Sequence, residues 1–425
     1  MAHIAPSVMA SGSAPRPSTS GSLPGLLLLI GSCMPVLGAV LIAPLLPKIQ
    51  SHFSTEPHVD VLVPILLTAP ALMIALLAPF AGSIVDRFGR KKLLLLAMVL
   101  YAIAGSAPLW LDDLRQIIFS RVFVGLAEAA IMTCCTVLLG DYYDGARRDR
   151  YIGLQTICTT VAGTLFFIIG GALGEGDWRS PFWIYLISLL LVPLMFRVLW
   201  EPLAPETRTG EMARQTPMPW RFLLLVCLIT FMAALLFFVI PVQLGFLFQQ
   251  RGIESTQIVG IGMGLGCAMN AVGAASHRWF RKMRESSVLA LCFALSGLGL
   301  LLLANQQTLP GMLVGITICS FGGGLVLPSL LTWVMRVLDM TQRGRGAGLW
   351  TSSFWIGQFV SPLVLMLLGA AYGRLEVAIT WVALGALGIS LIAFCNALTA
   401  ACAAHREKRP ENLLEEAPPA RFDSK

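Results

Sequence analysis

Glu128 is the single carboxylate that lies deep within an apolar stretch of this chain, and Arg121 precedes it by seven residues. Residues 115 to 140 read as one hydrophobic helix, so seven residues are two turns and place both groups on one face about 10 Å apart. An ionisable side chain in the middle of a membrane span costs about 3 kcal/mol on insertion scales, which makes such a residue a functional candidate by default. Three roles are open to Glu128: binding and releasing a proton, contacting a substrate, or a static ion pair or hydrogen bond. Burial raises a carboxyl pKa and a neighbouring arginine lowers it, so Arg121 and Glu128 together suit proton coupling.

A second set of residues sits in a polar loop: Gly82, Asp86, Arg87, Gly89, Arg90 and Lys91, in the run Gly-Ser-Ile-Val-Asp-Arg-Phe-Gly-Arg-Lys. A glycine at 82 allows a helix to approach a neighbour closely, and Asp86 is placed to meet the positive end of another helix. The plainer reading is that the cations of this loop only set topology.

The elements that must carry these groups are membrane spans. Of 425 residues 56% are hydrophobic and 12% charged, about half the charged share of a soluble domain at roughly 25%. Apolar runs long enough to cross a bilayer lie near 23–46, 59–81, 92–111, 115–140, 150–174 and 180–199. After a polar, proline-rich stretch come six more near 220–248, 256–276, 287–304, 309–335, 344–371 and 376–400. The chain thus reads as an all-α membrane protein of twelve transmembrane helices. Its expected divisions are a disordered cytoplasmic tail 1–22, a six-helix bundle 23–199, a cytoplasmic linker 200–219, a second bundle 220–400 and a cytoplasmic tail 401–425. Residues 1–22 lack the basic start and cleavage site of a signal peptide.

Charge gives the orientation. With both termini inside, five of the 30 Lys and Arg fall in outer loops, Arg121 is intramembrane, and the other 24 face the cytoplasm, as the positive-inside rule requires. The net charge of +7 is therefore spent on anionic lipid headgroups rather than on nucleic acid. Nine of the ten cysteines fall in apolar stretches and read as small packing residues; no Cys-x-x-Cys or paired His suggests a metal. None of the six lysines follows a glycine, which excludes a phosphate-binding loop, and neither paired mid-span acids nor His-Glu-x-x-His suggests a hydrolase. No catalytic residue and no cofactor is expected.

The loop recurs. Gly273 to Lys282 repeats Gly82 to Lys91 with His277 in place of the aspartate and Phe280 in place of the second glycine, and Arg343-Gly-Arg-Gly-Ala-Gly-Leu349 repeats Arg148-Asp-Arg-Tyr-Ile-Gly-Leu154. Two six-span halves in the same orientation follow.

The first loop matches at every defined position the signature Gly-x-x-x-Asp-Arg-x-Gly-Arg-Lys of the major facilitator superfamily. Arg121-Val-Phe-Val-Gly125 resembles the helix-four motif of its twelve-span drug:proton antiporter branch. In helix five the branch pattern is kept only in Gly170 and Gly171; Ala162, Phe166 and Phe167 replace the rest, and its proline is absent. The resemblance implies the major facilitator fold, no enzymatic activity, and a loop that locks an inner gate, with Asp86 against the start of helix eleven near Gly344 to Gly348 and Arg90 and Asp141 completing the charge cluster. It implies a secondary transporter that moves a small organic substrate by alternating access. Proton-coupled efflux is the favoured form, proton-coupled uptake of a small organic nutrient or acid the alternative, and a non-transporting sensor on the same fold ranks below both.

The other mid-span polar residues include Gln243, Asn270 and Gln358, which are candidates for the substrate cavity or for interhelical hydrogen bonds; Phe237 reads as packing. The expected partners are the substrate, protons and membrane lipids, with the protein monomeric in a bacterial inner membrane.

Overall fold

Within a bilayer every backbone donor and acceptor must find its partner inside the chain, which leaves helices as the economical solution. The computed structural model is helical accordingly, and it describes residues 22–202, 218–280, 283–339 and 342–415, with side chains as far as Thr399. The N-terminal tail to residue 21, most of the 200–219 linker and the last ten residues lie outside the described residues, as do Arg281 and Lys282 of the second loop.

Twelve helices are long and apolar enough to cross a membrane. They are span 1 (Leu23–His52), span 2 (Val59–Leu77), span 3 (Arg90–Leu109), span 4 (Leu114–Tyr142), span 5 (Gly145–Leu173) and span 6 (Ser180–Val198), then span 7 (Trp220–Gln250), span 8 (Thr256–Phe280), span 9 (Glu285–Asn305), span 10 (Leu309–Val337), span 11 (Arg343–Tyr372) and span 12 (Leu375–Thr399). The helix of span 12 runs on to Glu415, past the expected end near 400.

Spans 1 to 6 pack among themselves, chiefly 3 on 4, 2 on 4 and 1 on 5; spans 7 to 12 do so through 9 on 10, 9 on 12, 8 on 10 and 7 on 11. The two sets meet along spans 5 and 8 and along spans 2 and 11. Large apolar side chains such as Leu96, Phe119, Leu190 and Leu224 are exposed on the outside of both sets, as expected of surfaces whose solvent is lipid.

Span 4 holds the intramembrane charges because its first turn is tied down. Asp113 accepts hydrogen bonds from Arg115 N at 2.7 Å and Gln116 N at 3.2 Å, satisfying two otherwise orphaned donors at a helix start. Its buried positions include Ile117, Arg121, Val124, Glu128, Ile131, Cys135 and Leu138, the three-to-four spacing of one inward face. Both ionisable residues therefore point into the first bundle.

Candidate functional site

Arg121 is fully buried, and its hydrogen bonds and ring contacts among the described residues are with the first bundle. Its Nη2 donates to Ala104 O at 3.2 Å and Gly105 O at 2.9 Å, its Nη1 donates to Tyr185 Oη at 3.0 Å, and the guanidinium lies over the rings of Phe182 and Tyr185. Span 3 ends in a short 3-10 turn at Ala107–Leu109, and Arg121 takes up carbonyls freed near that end. Tyr185 Oη donates in turn to Gly38 O, 3.1 Å away on span 1. Glu128 is 1% exposed and packs against that same Gly38, with no room for a side chain between them. Its Oε1 has no hydrogen-bond partner among the described residues.

Arg121 and Glu128 form no direct ion pair among the described residues, so of the roles left open for Glu128 the static ion pair is not the one seen. The seven-residue spacing leaves the two heads a full two turns apart, and each finds nearer neighbours. Tyr101 completes the cluster by donating to Met34 O at 2.6 Å.

The signature loop folds as a short helix, Ala81–Phe88, followed by Gly89 at φ +84°, a conformation glycine adopts without strain, and then by span 3. Arg90 is buried and reaches Asp86 at 3.2 Å and Asp141 at 3.2 Å, so the expected charge cluster of Asp86, Arg90 and Asp141 is present. Two expectations about the loop are corrected. A side chain at Gly82 would meet nothing within 4 Å, because helix two breaks at Ala78 to Phe80 and turns position 82 outward. The Asp86 side chain is 68% exposed and pairs within its own bundle; the start of span 11 meets the turn just past span 2, at Pro79 against Gly348. Arg87 and Gly89 stay in the loop, while Lys91 donates through Nζ to Phe196 O at 2.8 Å.

Sequence reasoning missed Glu201, which accepts from Arg90 N at 2.6 Å and Lys91 N at 3.0 Å and so caps span 3 from 111 residues away. The available signal was an acid immediately after span 6, at the end of the same bundle.

Between the two bundles lies a cavity of about 260 Å³. Val36, Thr160 and Phe167 line it from the first bundle; Phe237, Asn270 and Ser320 are among those that line it from the second. Among the described residues no Asp, Glu, Lys, Arg or His is on its wall. Asn270, expected here, is on that wall, while Gln243 and Gln358 are buried elsewhere in the second bundle. Phe237, read from sequence as packing, faces the cavity.

Spans 5 and 8 close the cavity on the side away from the arginine-rich loops. Gly171 and Gly260 bring the two backbones together, with a Cβ at Gly171 falling 3.0 Å from Gly260 Cα. Beyond them Glu175 Oε2 lies 2.8 Å from Thr256 Oγ1 and accepts from Gln257 N at 3.1 Å. Those hydrogen bonds, Thr256 first, hold the Glu175 carboxyl below its ordinary range. Among the described residues no three His, Cys, Asp or Glu side chains gather to hold a metal.

A profile of the Major Facilitator Superfamily matches residues 28–362 and again 279–423. The class C tetracycline resistance protein of Escherichia coli is 26% identical over 385 residues, 85% of this chain and 94% of that one. The 3-(3-hydroxy-phenyl)propionate transporter of Escherichia coli (strain K12) is 24% identical over 55% of this chain and 59% of its own length. A bacterial homologue of the human lysosomal transporter Spinster, solved inward-facing and unoccupied, shares the fold with a TM-score of 0.71 at 15% identity, over 94% of this chain and 99% of that one. A family profile over most of its length and twelve apolar helices in two bundles agree: the chain is an integral membrane transporter, not an enzyme, and belongs to the Major Facilitator Superfamily.

Proposed function

We propose that the protein exports a small, uncharged, largely apolar organic molecule in exchange for protons, by alternating access of the cavity between its two bundles. The carrying observation is the wall of that cavity: both bundles contribute, aromatic and aliphatic side chains dominate, and no charged group is present. A charged cargo would leave its own charge unpaired in such a site, at a cost of several kcal/mol. Asn270 supplies the orienting polar contact, in keeping with pockets that are apolar with a few placed hydrogen-bonding groups.

Glu128 is the proton carrier in this reading. It is buried against span 1 in the state described, so a change in the packing of spans 1 and 4 must precede its exchange with solvent. Arg121, locked to spans 3 and 6, holds the electrostatic environment of that exchange fixed. The positive-inside count places the arginine-rich face and both termini in the cytoplasm of a bacterial cell, with the closed seam of spans 5 and 8 facing out. In this reading the protein works as a monomer surrounded by membrane lipid.

Uptake is the second reading, favoured by the similarity to a transporter named for an aromatic acid. An acid would enter as an anion, and no cation lines the cavity to receive it. The deciding experiment compares accumulation of two labelled uncharged aromatic compounds in cells with and without the protein, each with and without a protonophore. Lower accumulation that the protonophore abolishes supports export; higher accumulation with the protein overturns it in favour of uptake, and unchanged accumulation of both removes this cargo class.

A further inference from the structure

We infer that Glu175 is the latch that closes the seam between spans 5 and 8, fastening the end of one bundle to the start of the other. It lies just past the last turn of span 5, and Thr256 opens span 8. One carboxylate oxygen, Oε2, gathers Ser255 Oγ at 3.3 Å, Thr256 Oγ1 at 2.8 Å and Gln257 N at 3.1 Å. A carboxylate on the donors of a helix start makes charge-assisted hydrogen bonds, the stronger kind.

The fastening is doubled. Thr256 Oγ1 also lies 2.8 Å from Gly171 O, so its one proton is shared between the carbonyl end of span 5 and the latch. Lys48 of span 1 donates through Nζ to Gly174 O at 3.0 Å and Glu175 O at 2.5 Å, pinning the turn that presents the carboxylate. The titratable groups nearby are Lys48, Asp177, His52 and Glu254, which share the polar vestibule above the seam.

Beneath the latch the two backbones pack closely at Gly171 and Gly260. The glycine-to-glycine contact itself is small-residue packing and supplies no charge-assisted bond. The hydrogen bonds of Glu175 are thus the charge-assisted part of the closed seam, beside the neutral bond from Thr256 to Gly171 O, and opening the cavity to this face requires that they break.

Cys267 reports the consequence. It lines the cavity below the latch, so a membrane-impermeant thiol reagent applied to the Glu175 face reaches it only when the seam opens. The experiment labels the full chain in intact cells and in inside-out vesicles and reads Cys267 by peptide mass. The inference rests on the alternating-access reading, but the assay contains no cargo. Glu175→Gln is expected to raise labelling from the Glu175 face by about tenfold, the worth of one charge-assisted hydrogen bond, and to lower it from the opposite face. Thr256→Val should move both in the same sense. A variant that merely misfolds would raise labelling from both faces, and labelling equal to wild type on both faces overturns the latch. If the latch stands while the protein leaves accumulation of every cargo unchanged, the transport reading fails alone.

Discussion

Arg121 and Glu128 meet through span 1 rather than directly: Arg121 donates to Tyr185 Oη, Tyr185 donates to Gly38 O, and Gly38 Cα is the surface against which Glu128 Oε1 packs. Three spans therefore converge on one glycine. A displacement of span 1 at Gly38 changes the surroundings of the carboxylate and of the arginine's hydroxyl partner together, which is a physical route from proton occupancy to helix movement.

Gly38→Ala tests that convergence. The added methyl overlaps Glu128 Oε1 and approaches Tyr101 Oη at 3.4 Å, and overpacking of this kind costs about 1–3 kcal/mol. Lower thermal stability in detergent and loss of transport are expected. The double variant Gly38→Ala, Glu128→Ala should regain most of the stability and none of the coupling. Two additive losses would mean the residues do not touch.

Glu128→Gln keeps the shape of the side chain and removes its proton chemistry. We expect normal insertion and abundance with loss of pH-driven cargo movement, measured as accumulation under an imposed pH gradient. Arg121→Lys is the companion variant. A point charge cannot hold Ala104 O, Gly105 O and Tyr185 Oη with the geometry of a planar fork. It should therefore lower the unfolding temperature, whereas Glu128→Gln should not.

At the signature loop the order of effects follows burial. Arg90 is nearly enclosed, Asp141 is partly exposed and Asp86 mostly exposed, and an exposed ion pair contributes under about 1 kcal/mol. Arg90→Met should destabilise most, Asp141→Asn less and Asp86→Asn least. Glu201→Gln removes the charge that caps span 3, which is expected to cost about 1 kcal/mol. Unfolding temperatures of the four variants check the series, and an Asp86→Asn loss larger than that of Arg90→Met would contradict it.

The spans and their number are legible in the sequence because hydropathy is a local property, summed over some twenty neighbours. Glu128 and Arg121 are legible for the same reason. Their partners are not: Tyr185 comes 64 residues after Arg121 and Glu201 comes 111 after Arg90, and nothing local marks either as a partner. Gln243, Gln358 and Asn270 look alike as polar residues in apolar helices; only the rotation of each helix decides that Asn270 faces the cavity. Gly82 misled because a glycine read as a contact is, in the fold, a position open to its surroundings.

The pH response of Glu175 has a fixed sign. Its carboxyl titrates below the ordinary glutamate value because Thr256, Gln257 and Ser255 hydrogen-bond the charged form. A lowered folded pKa gives stability that is fully present above the unfolded value of about 4.3 and is lost as pH falls through the folded one. The unfolding temperature of wild type minus that of Glu175→Gln should hold constant from about pH 8 to 5 and shrink only in stronger acid. A difference that shrinks between about pH 7 and 5 would mean the latch itself senses protons in the physiological range. That result would move part of the coupling from Glu128 to the outer seam.

Cargo charge fixes the electrical character of transport. If an uncharged molecule leaves as one proton enters, each cycle moves one net charge, and the membrane potential drives export even without a pH gradient. A potential of about 100 mV is worth roughly 2.3 kcal/mol per charge, or about a fiftyfold concentration ratio. Sealed vesicles with an imposed potassium diffusion potential and equal pH on both sides should therefore show cargo movement that reverses when the potential is reversed. A cation exchanged one for one with a proton would show none. Asn270→Leu should weaken cargo binding by about 1 kcal/mol, the net value of one neutral hydrogen bond, while leaving the voltage dependence intact. Potential-insensitive transport of the same compound would show that it crosses as a cation, which the uncharged wall of the cavity argues against.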